Sequence, residues 1–525
     1  MTSFCAHSPK GDETQMPLQA VNKTKRTAYN AVASLLNLVV NNLLSFLLIR
    51  VVLLKMGSDY NGLNSTTAQF LSILLIFENS FTNAIQVALY KPFQSGDLEN
   101  LNALCTKAKK TFNLCGLIMF GGGLVSAAVF ALTVKSGYDY PTIFAVIAIS
   151  VISSMLSSLL SSRYRVLFQV SQSEYIVTLI TAICHTLSQI SAFILVHVNV
   201  NIIQLRLSYA AFSVLQCVVI CAVGRKMFKD VNFSVKGPLP KIKGTKEVMV
   251  SVSTSVVYRS APTFYLTSFL GTVFTSIYAV YKSILGIIEN VLWAILNAPK
   301  NAVGQTLSSD DQENKNRIIN QYEFTVILFA TVLLSVTYSL LVPFIKLYTA
   351  GVNDANYVNE AMAALMVLSS YATFLHVPAG TCINLSGQFK LMQKNQIIAL
   401  AALIVGIVIG GFAAGIYGIL SAVLAVAVLL AVLEIRGSRK YVITSGYGKF
   451  LKVLFVNGIT GAAVSVFGKL LLSKYITSYI YFFLIAAVMT VITACIIFLA
   501  NYLIFKNDCK QLVKRFMGIL RRRAK

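Results

Sequence analysis

Charged residues are scarce in this chain. Only 12% of its 525 residues are Asp, Glu, Lys or Arg, about half of the ~25% typical of soluble domains, whereas 56% are hydrophobic. So few charges leave too little polar surface to cover a water-soluble particle of this size. Lipid must therefore solvate much of the chain, which excludes a wholly soluble protein.

The sequence also lacks the motifs and loops that several enzyme classes need. It contains no G-x-x-x-x-G-K-[ST] phosphate-binding loop and no polar segment long enough for a nucleotide-binding domain. A membrane-bound glycan polymerase or acyltransferase would need a large outer loop or a clustered His/Asp set, and neither is present. We therefore expect a protein that is not an enzyme, needs no cofactor and does not itself use ATP.

Metal and nucleic-acid binding are disfavoured as well. The nine cysteines are scattered, and the closest pair, Cys217 and Cys221, has no His or carboxylate neighbour. The net charge of +25 is divided among short clusters between apolar runs and forms no basic domain. We expect no metal site and no nucleic-acid partner. Residues 1–27 are polar and contain no apolar core of a cleavable signal peptide.

Long apolar runs are what the chain has in abundance. A helix needs ~20 apolar residues to cross a hydrocarbon core of ~30 Å. That criterion predicts fourteen transmembrane helices, with the tightest hairpins near Gly271 and Gly415–Gly418. The predicted spans are 28–49, 66–90, 111–134, 141–161, 175–197, 205–224, 248–270, 272–297, 322–346, 359–385, 396–414, 418–433, 450–472 and 478–505.

The positions of Lys and Arg give these helices an orientation. With the N-terminus in the cytoplasm, 35 of the 44 basic residues fall on the cytoplasmic side and seven on the outer side. The remaining two, Arg259 and Lys282, are interpreted as intramembrane, and the seven on the outer side are Arg50, Lys55, Lys135, Arg206, Lys346, Lys469 and Lys474. A five-fold bias over short loops predicts that both termini are cytoplasmic. We expect the basic loops and tail to contact anionic membrane lipids.

The most basic loop divides the chain into two parts. It follows the sixth span and contains Pro238 and Pro240, which favour turns. A faint internal similarity also relates the segment around Gly57 to the segment around Gly271. We predict a polar N-terminus at 1–27, a six-helix lobe at 28–224, a linker at 225–247, a second six-helix lobe at 248–433, a loop and two more helices at 434–505, and a basic amphipathic tail at 506–525.

Ionisable residues inside the predicted spans are costly there and are the first candidates for function. Arg259 and Lys282 lie near the middle of spans seven and eight. They can hold a diphosphate, Arg through paired hydrogen bonds and Lys as a point charge. In the alternative interpretation, Glu78 of span two neutralises one of them and the three residues only fix helix packing.

Other intramembrane groups extend this set. Glu289 follows Lys282 by two helical turns on the same face. His185 and His376 lie within spans five and ten, where a neutral imidazole can simply hydrogen-bond between helices. Glu78 and His185 are the candidates for coupling transport to an ion.

The first ninety residues carry a family resemblance. An arginine ends span one, a Gly-x-x-Tyr-x-Gly-Leu turn follows, and a Leu-Tyr-Lys-Pro segment ends span two after a glutamate; the positions are Arg50, Gly57, Tyr60, Gly62, Leu63, Glu78, Leu89, Tyr90, Lys91 and Pro92. This pattern resembles the N-terminal helix pair of Wzx-like bacterial polysaccharide flippases. A similar Leu-Gly turn recurs in SFLGTVFTSIYAVYKSI at spans seven and eight. The chain departs from the family at Asn79–Ser80 and at Ser276.

The resemblance implies the fold of the multidrug/oligosaccharidyl-lipid/polysaccharide exporter superfamily. That fold is all-α, with two six-helix bundles around a V-shaped central cavity and two extra C-terminal helices. The resemblance implies alternating access, an undecaprenyl-diphosphate-linked oligosaccharide as cargo, a bacterial plasma membrane, and a polysaccharide polymerase and other glycan-assembly proteins as partners. The residues expected to bind cargo are Arg259, Lys282, Arg50 and Glu289.

Two relatives within the same superfamily remain alternatives. A lipid II exporter would carry a related cargo. A multidrug exporter would prefer acidic cavity residues for organic cations, whereas this chain places Arg259 and Lys282 at the membrane midplane.

Overall fold

The computed structural model describes residues 23–236, 239–240, 245–297, 299–307, 311–472 and 476–523. Throughout these residues every regular element is a helix. The first half contains α1 (Lys23–Leu74), α2 (Ile76–Ser95), α3 (Leu98–Thr133), α4 (Tyr140–Leu160), α5 (Ser162–Val170), α6 (Glu174–His197) and α7 (Ile202–Met227).

The second half begins with α8 (Thr245–Tyr265), which continues into a π-helical turn (Leu266–Leu270). It then contains α9 (Thr272–Asn297), α10 (Lys300–Leu307), α11 (Gln312–Tyr348), α12 (Glu360–Leu385), α13 (Phe389–Tyr441), α14 (Tyr447–Leu472), α15 (Tyr479–Ile504) and α16 (Lys506–Arg523). The predicted all-α fold is confirmed.

Eleven helices in the described part of the chain are long and apolar enough to cross a membrane. Two of them, α1 and α13, are interrupted by non-helical residues at Gly57 and at Ala414–Gly415. α13 therefore covers two of the predicted spans, whereas α1 covers the first span and the beginning of the second, which continues in α2. A multi-pass membrane protein is confirmed, and the count of fourteen spans stays a prediction.

Single glycines make the sharpest breaks. The hairpins predicted near Gly271 and Gly415 are present, with φ of +101° and +56°. By contrast, residues 50–65 do not form the expected loop between spans; they are helical, broken only at Gly57 (φ 83°, ψ 174°). Glycine adopts positive φ without strain, so one residue redirects the chain and no loop is needed.

Two other sequence-based assignments are corrected by burial. The predicted loop 162–174 contains α5, whose Val166, Leu167 and Phe168 are buried. Arg206, counted as an outer-side charge, is buried in α7. Its Nε donates to Ser150 Oγ (2.5 Å) and its Nη1 to Asn64 Oδ1 (2.8 Å). Neutral partners on neighbouring helices let this arginine lie inside the protein.

The helices pack as two sets that meet along α1. In the first set α3 packs on α4, α4 on α7, and α6 on both α1 and α7. In the second set α11 packs on α12, α14 and α15, while α12 packs on α13. Contacts between the sets involve α1 with α8 and α9, and α2 with α8. The space between the sets is therefore bounded by α1, α2, α8 and α9.

The amphipathic helix α16 folds back onto the second set. Its buried residues Cys509 and Leu512 join a core cluster with Phe324 and Leu328 of α11. Lys449 at the start of α14 forms an ion pair with Asp508 of α16 (2.8 Å). Apolar contacts on one face and a charge contact at the edge thus fix this helix beside α11 and α15.

Candidate functional site

Hydrogen bonds join the two sets of helices at the ends predicted to face outward. Ser58, just after the α1 break, donates from its backbone N and its Oγ to the two carboxylate oxygens of Asp354 (2.6 and 2.8 Å). Tyr357 donates to Ser58 Oγ (2.7 Å), and Asn61 donates to Ser276 Oγ (2.8 Å). We call this group the outer seal; it comprises Ser58, Asp59, Asn61, Gly62, Thr272, Ser276, Asp354 and Tyr357.

The closest approach within the outer seal depends on a glycine. A Cβ on Gly62 would lie 1.8 Å from the backbone oxygen of Thr272, so only glycine lets α1 and α9 touch here. Thr272 also donates its hydroxyl to Asp59, which accepts the backbone N–H of Gly137 (2.7 Å) as well. Burial raises the pKa of the Tyr357 phenol, so its hydroxyl stays protonated and able to donate.

A cavity of about 490 Å³ lies between the two sets, on the other side of the outer seal. Its lining comes from α1, α2, α8 and α9 and is mostly polar or charged. The lining residues are Ser65, Gln69, Ser72, Leu75, Asn79, Val256, Arg259, Ser260, Thr263, Tyr278, Ala279, Lys282 and Ser283. The structure thus brings Arg259 and Lys282 together in one cavity.

Neither of the two cations in this cavity forms an ion pair with a described residue. Both side chains are exposed to the cavity, and the Nε of Arg259 donates only to Ser255 O of its own helix (3.3 Å). Among the described residues, no carboxylate lies within the 4.0 Å of an ion pair from either one. A cavity with two free positive charges and many hydroxyl and amide groups is suited to an anion.

Glu78 does not pair with either cation. Its Oε1 accepts a hydrogen bond from Ser162 Oγ of α5 (2.5 Å). Its Oε2 is buried and has no partner among the described residues. The neutralising trio of Glu78, Arg259 and Lys282 is therefore not formed, and Glu78 lies instead inside the first set of helices with one oxygen unsatisfied.

Three further residues predicted to be functional, Glu289, Arg50 and His185, do not line the cavity. Glu289 accepts from Ser370 Oγ of α12 (2.6 Å). Arg50 donates to Leu347 O (3.0 Å) and stacks over the Tyr479 ring (5.3 Å), which ties α1 to α11 and α15.

His185 joins a polar network between α6 and α1. Its Nδ1 lies 2.9 Å from Asn41 Oδ1, and its Nε2 lies 3.4 Å from Gln189. No group of three or more His, Cys, Asp or Glu side chains that could hold a metal occurs within the described ranges.

Hydropathy does not predict part of the polar lining or two ion pairs between helices. Ser65, Gln69 and Ser72 have the i, i+4, i+7 spacing of one helix face, but that signal began in a segment interpreted as a loop. The pairs are His376–Glu434 (2.8 Å) and Glu323–Arg439 (2.6 Å). Glu434 and Arg439 lie beyond the end of predicted span 418–433, whereas α13 continues to Tyr441.

No protein-family model and no curated protein matches the chain. Several solved structures match the chain. Lipid II flippase MurJ in an inward closed conformation has a TM-score of 0.70 at 13% identity, over 90% of this chain and 98% of that one. An inward-facing multidrug resistance MATE transporter of the MOP superfamily has 0.61 at 10% identity, over 76% and 94%.

A third similar structure comes from Pyrococcus furiosus. It is a MOP superfamily transporter whose reversed binding-pocket polarity suggests a different function, with a TM-score of 0.53 at 11% identity, over 81% of this chain and 97% of that one. The fold is thus the MurJ- and MATE-like one.

Proposed function

We propose that this protein is a flippase that moves undecaprenyl-diphosphate-linked oligosaccharide from the cytoplasmic to the outer leaflet of a bacterial plasma membrane, for cell-surface polysaccharide biosynthesis. The observation that carries the proposal is the free pair of cations, Arg259 and Lys282, in the cavity between the two sets of helices. Both side chains face the cavity and form no ion pair with a described residue, so an anionic cargo that pairs with them is favoured.

The diphosphate is the part of the cargo that this cavity is suited to bind. The guanidinium of Arg259 can give two parallel hydrogen bonds to phosphate oxygens, and the Lys282 ammonium adds an adjustable point charge. Hydroxyl and amide groups of Gln69, Asn79 and Ser283 line the same space and can hydrogen-bond to sugar hydroxyls. No carboxylate is among the lining residues, which disfavours a multidrug exporter for organic cations.

Alternating access requires the outer seal to open after cargo has bound. The cavity volume of about 490 Å³ is within the ~300–1,000 Å³ of small-molecule pockets, so a glycan of several sugars needs the two sets to separate further. Net contributions of ~0.5–1.5 kcal/mol for a neutral hydrogen bond and ~1.5–3 kcal/mol for one to a charged group make the seal strong but reversible. Cargo opens it only by binding the separated state more tightly.

Glu78 is the best candidate for coupling this cycle to an ion gradient. Its Oε1 is held by Ser162, and its Oε2 accepts no hydrogen bond from a described residue and is therefore available to a coupling ion. Loading and unloading Glu78 would change how α2 packs on α5. His185, in the network between α1 and α6, is the second candidate.

The decisive experiment is transport by the purified protein in proteoliposomes. Undecaprenyl-diphosphate-linked oligosaccharide is placed in one leaflet, and its appearance in the other is measured. Arg259→Gln and Lys282→Gln should each reduce transport strongly. The matched control is Lys346→Gln, which removes an exposed lysine near the far end of α11. Wild-type transport by Arg259→Gln would refute the cation site.

A second arm of that experiment separates cargo classes. Lipid II also carries a diphosphate, so the two cations do not distinguish it from a longer lipid-linked glycan. Deletion of the gene, followed by analysis of the lipid-linked intermediates that accumulate, identifies the cargo in the cell. Accumulation of lipid II in place of a surface-polysaccharide precursor would favour the lipid II alternative.

A further inference from the structure

A second cavity of about 510 Å³ lies among α11, α15 and the amphipathic helix α16, away from the cavity that contains Arg259 and Lys282. We call it the tail groove. Each helix contributes apolar side chains: Leu328 and Val332 from α11, Ala494 and Cys495 from α15, and Val513 and Met517 from α16. Its lining contains no charged residue, so the groove suits a hydrocarbon chain.

The depth of the tail groove matches one leaflet of a bilayer. Ala494 lies ten residues before Ile504, where α15 ends. At ~1.5 Å per residue this is ~15 Å, about half of a hydrocarbon core of ~30 Å. The groove therefore extends from the membrane interface at α16 to about the bilayer midplane, the reach of one acyl chain.

Two lysines stand at the interfacial end of the tail groove. Lys510 and Lys514 precede Val513 and Met517 by three residues each, so helical geometry places them beside these groove-lining side chains. Both lysines are exposed, and neither has a carboxylate within ion-pair distance in the described part of the chain. On the same side of the protein, Lys449 is already paired with Asp508.

We propose that the tail groove binds an anionic phospholipid of the cytoplasmic leaflet, with one acyl chain between α11 and α15 and the phosphate at Lys510 and Lys514. An apolar slot one leaflet deep, with two unpaired ammonium groups at its interfacial end, complements such a lipid in both shape and charge. The bound lipid fills the space between three helices and stabilises the docking of α16.

Cys495 provides a probe inside the tail groove. It is exposed, whereas the other described cysteines are buried. With Cys5 replaced by Ser, a bimane fluorophore on Cys495 reports contact with lipids that carry bromine on their acyl chains. The labelled protein is placed in phosphatidylcholine bilayers that contain increasing fractions of brominated phosphatidylglycerol or brominated phosphatidylcholine. We expect phosphatidylglycerol to quench at a roughly tenfold lower mole fraction, because two lysines attract its headgroup.

Variants test the two parts of the site separately. Lys510→Gln/Lys514→Gln should abolish the preference for phosphatidylglycerol while quenching by phosphatidylcholine persists. Ala494→Phe should fill the groove and weaken quenching by both lipids. The matched control Lys452→Gln removes an exposed lysine of α14, which does not line the groove, and should leave the preference unchanged.

Three results would overturn the proposal. These are equal quenching by the two brominated lipids, a preference that survives the double lysine variant, and displacement of phosphatidylglycerol by an equimolar amount of undecaprenyl phosphate. The last would assign the groove to a polyprenyl chain. No glycan cargo is present in this experiment, so its outcome is independent of whether the protein proves to be a flippase.

Discussion

Exposure to the cavity and the lack of an ion pair distinguish Arg259 and Lys282 from the buried arginines Arg206 and Arg439. Arg439 is paired with Glu323 at 2.6 Å, and Arg206 is held by neutral oxygens. Arg259 and Lys282 form no ion pair within the described part of the chain, and both line the cavity. Their exposure to the cavity leaves both side chains accessible to an anionic ligand.

The geometry of the arginine, beyond its charge, should matter for transport. Arg259→Lys keeps the positive charge but loses the planar fork that binds two phosphate oxygens at once. We expect roughly tenfold or greater loss of transport in proteoliposomes, with protein yield and thermal stability unchanged because the side chain is exposed. Unchanged transport would mean that Arg259 acts only as a distant charge.

Neutralising Glu78 should uncouple the protein from its gradient. Glu78→Gln keeps an oxygen that can accept from Ser162 and mimics the protonated carboxyl. We expect the variant to bind cargo normally but to lose its response to an imposed pH or sodium gradient in proteoliposomes. If transport still follows the gradient fully, the coupling site lies elsewhere, with Glu289 or His185 next in order.

Hydropathy predicts how deep in the membrane a charged residue lies, but not which neighbouring helix its side chain contacts. Hydropathy placed Arg259 and Lys282 at mid-membrane, and the structure puts both in one cavity. Arg50 was also assigned to the cargo site, yet it reaches Leu347 and Tyr479 instead. Glu289 lies two helical turns after Lys282 on α9, but its carboxylate accepts a hydrogen bond from Ser370 of α12. Which helices become neighbours depends on packing that a one-dimensional pattern does not contain.

At the scale of helices, the contact between α1 and α9 should be intolerant of any side chain. Gly62→Ala places a Cβ 1.8 Å from Thr272 O and should force the outer seal apart. Spin labels on cysteines at Lys55 and Asn353 should report a longer, broader distance distribution, and transport should be lost. The control is Gly122→Ala, within α3, where an added Cβ meets nothing within 4 Å. An unchanged distance in Gly62→Ala would contradict the closed contact.

The carboxylate of Asp354 should set the strength of the outer seal. Asp354→Asn replaces charge-assisted bonds to Ser58, each contributing ~1.5–3 kcal/mol, by weaker neutral ones. At ~1.4 kcal/mol per factor of ten, we expect the separated population to rise about tenfold, measured with the same spin-label pair. Asp139→Asn, an exposed carboxylate with no capping bond, serves as the control. Equal populations in both variants would exclude Asp354 from the seal.

The apolar runs predict most of the helices but not the helical segments that contain many polar residues. At Gly271 and Gly415 a fall in hydropathy coincides with a glycine, which predicts the helix breaks that the structure has there. For residues 50–65 the polar side chains of Ser58, Asp59 and Asn61 predict a loop, and the structure has a helix there. Their polarity is satisfied by Asp354, Thr272 and Ser276 of the other set of helices, a tertiary effect that local propensity cannot reveal.

For the whole molecule, the distribution of basic residues predicts a testable orientation. Cysteines at Asp139 or Asn353 should react with an impermeant thiol reagent in intact cells, and one at Asp230 should not, because positive charge accumulates on the cytoplasmic side. All three positions are exposed. A cysteine at Ser58 would be a poor reporter because that residue is fully buried in the outer seal. Labelling of a cysteine at position 230 from outside would contradict the predicted orientation, and with it the predicted direction of transport.

Gly57 and Gly271 share one more property. Their backbone conformations are nearly the same, with φ 83° and ψ 174° at Gly57 and φ 101° and ψ 171° at Gly271. The helical segments that follow the two glycines contact each other in the outer seal. This is the trace that gene duplication would leave, with two copies of an ancestral half meeting face to face at their equivalent turns. The seal would then be the remnant of an ancient homodimer interface. It follows that residues 1–237 and 238–525, made as separate polypeptides divided within the predicted linker 225–247, should recognise each other and restore transport when co-expressed.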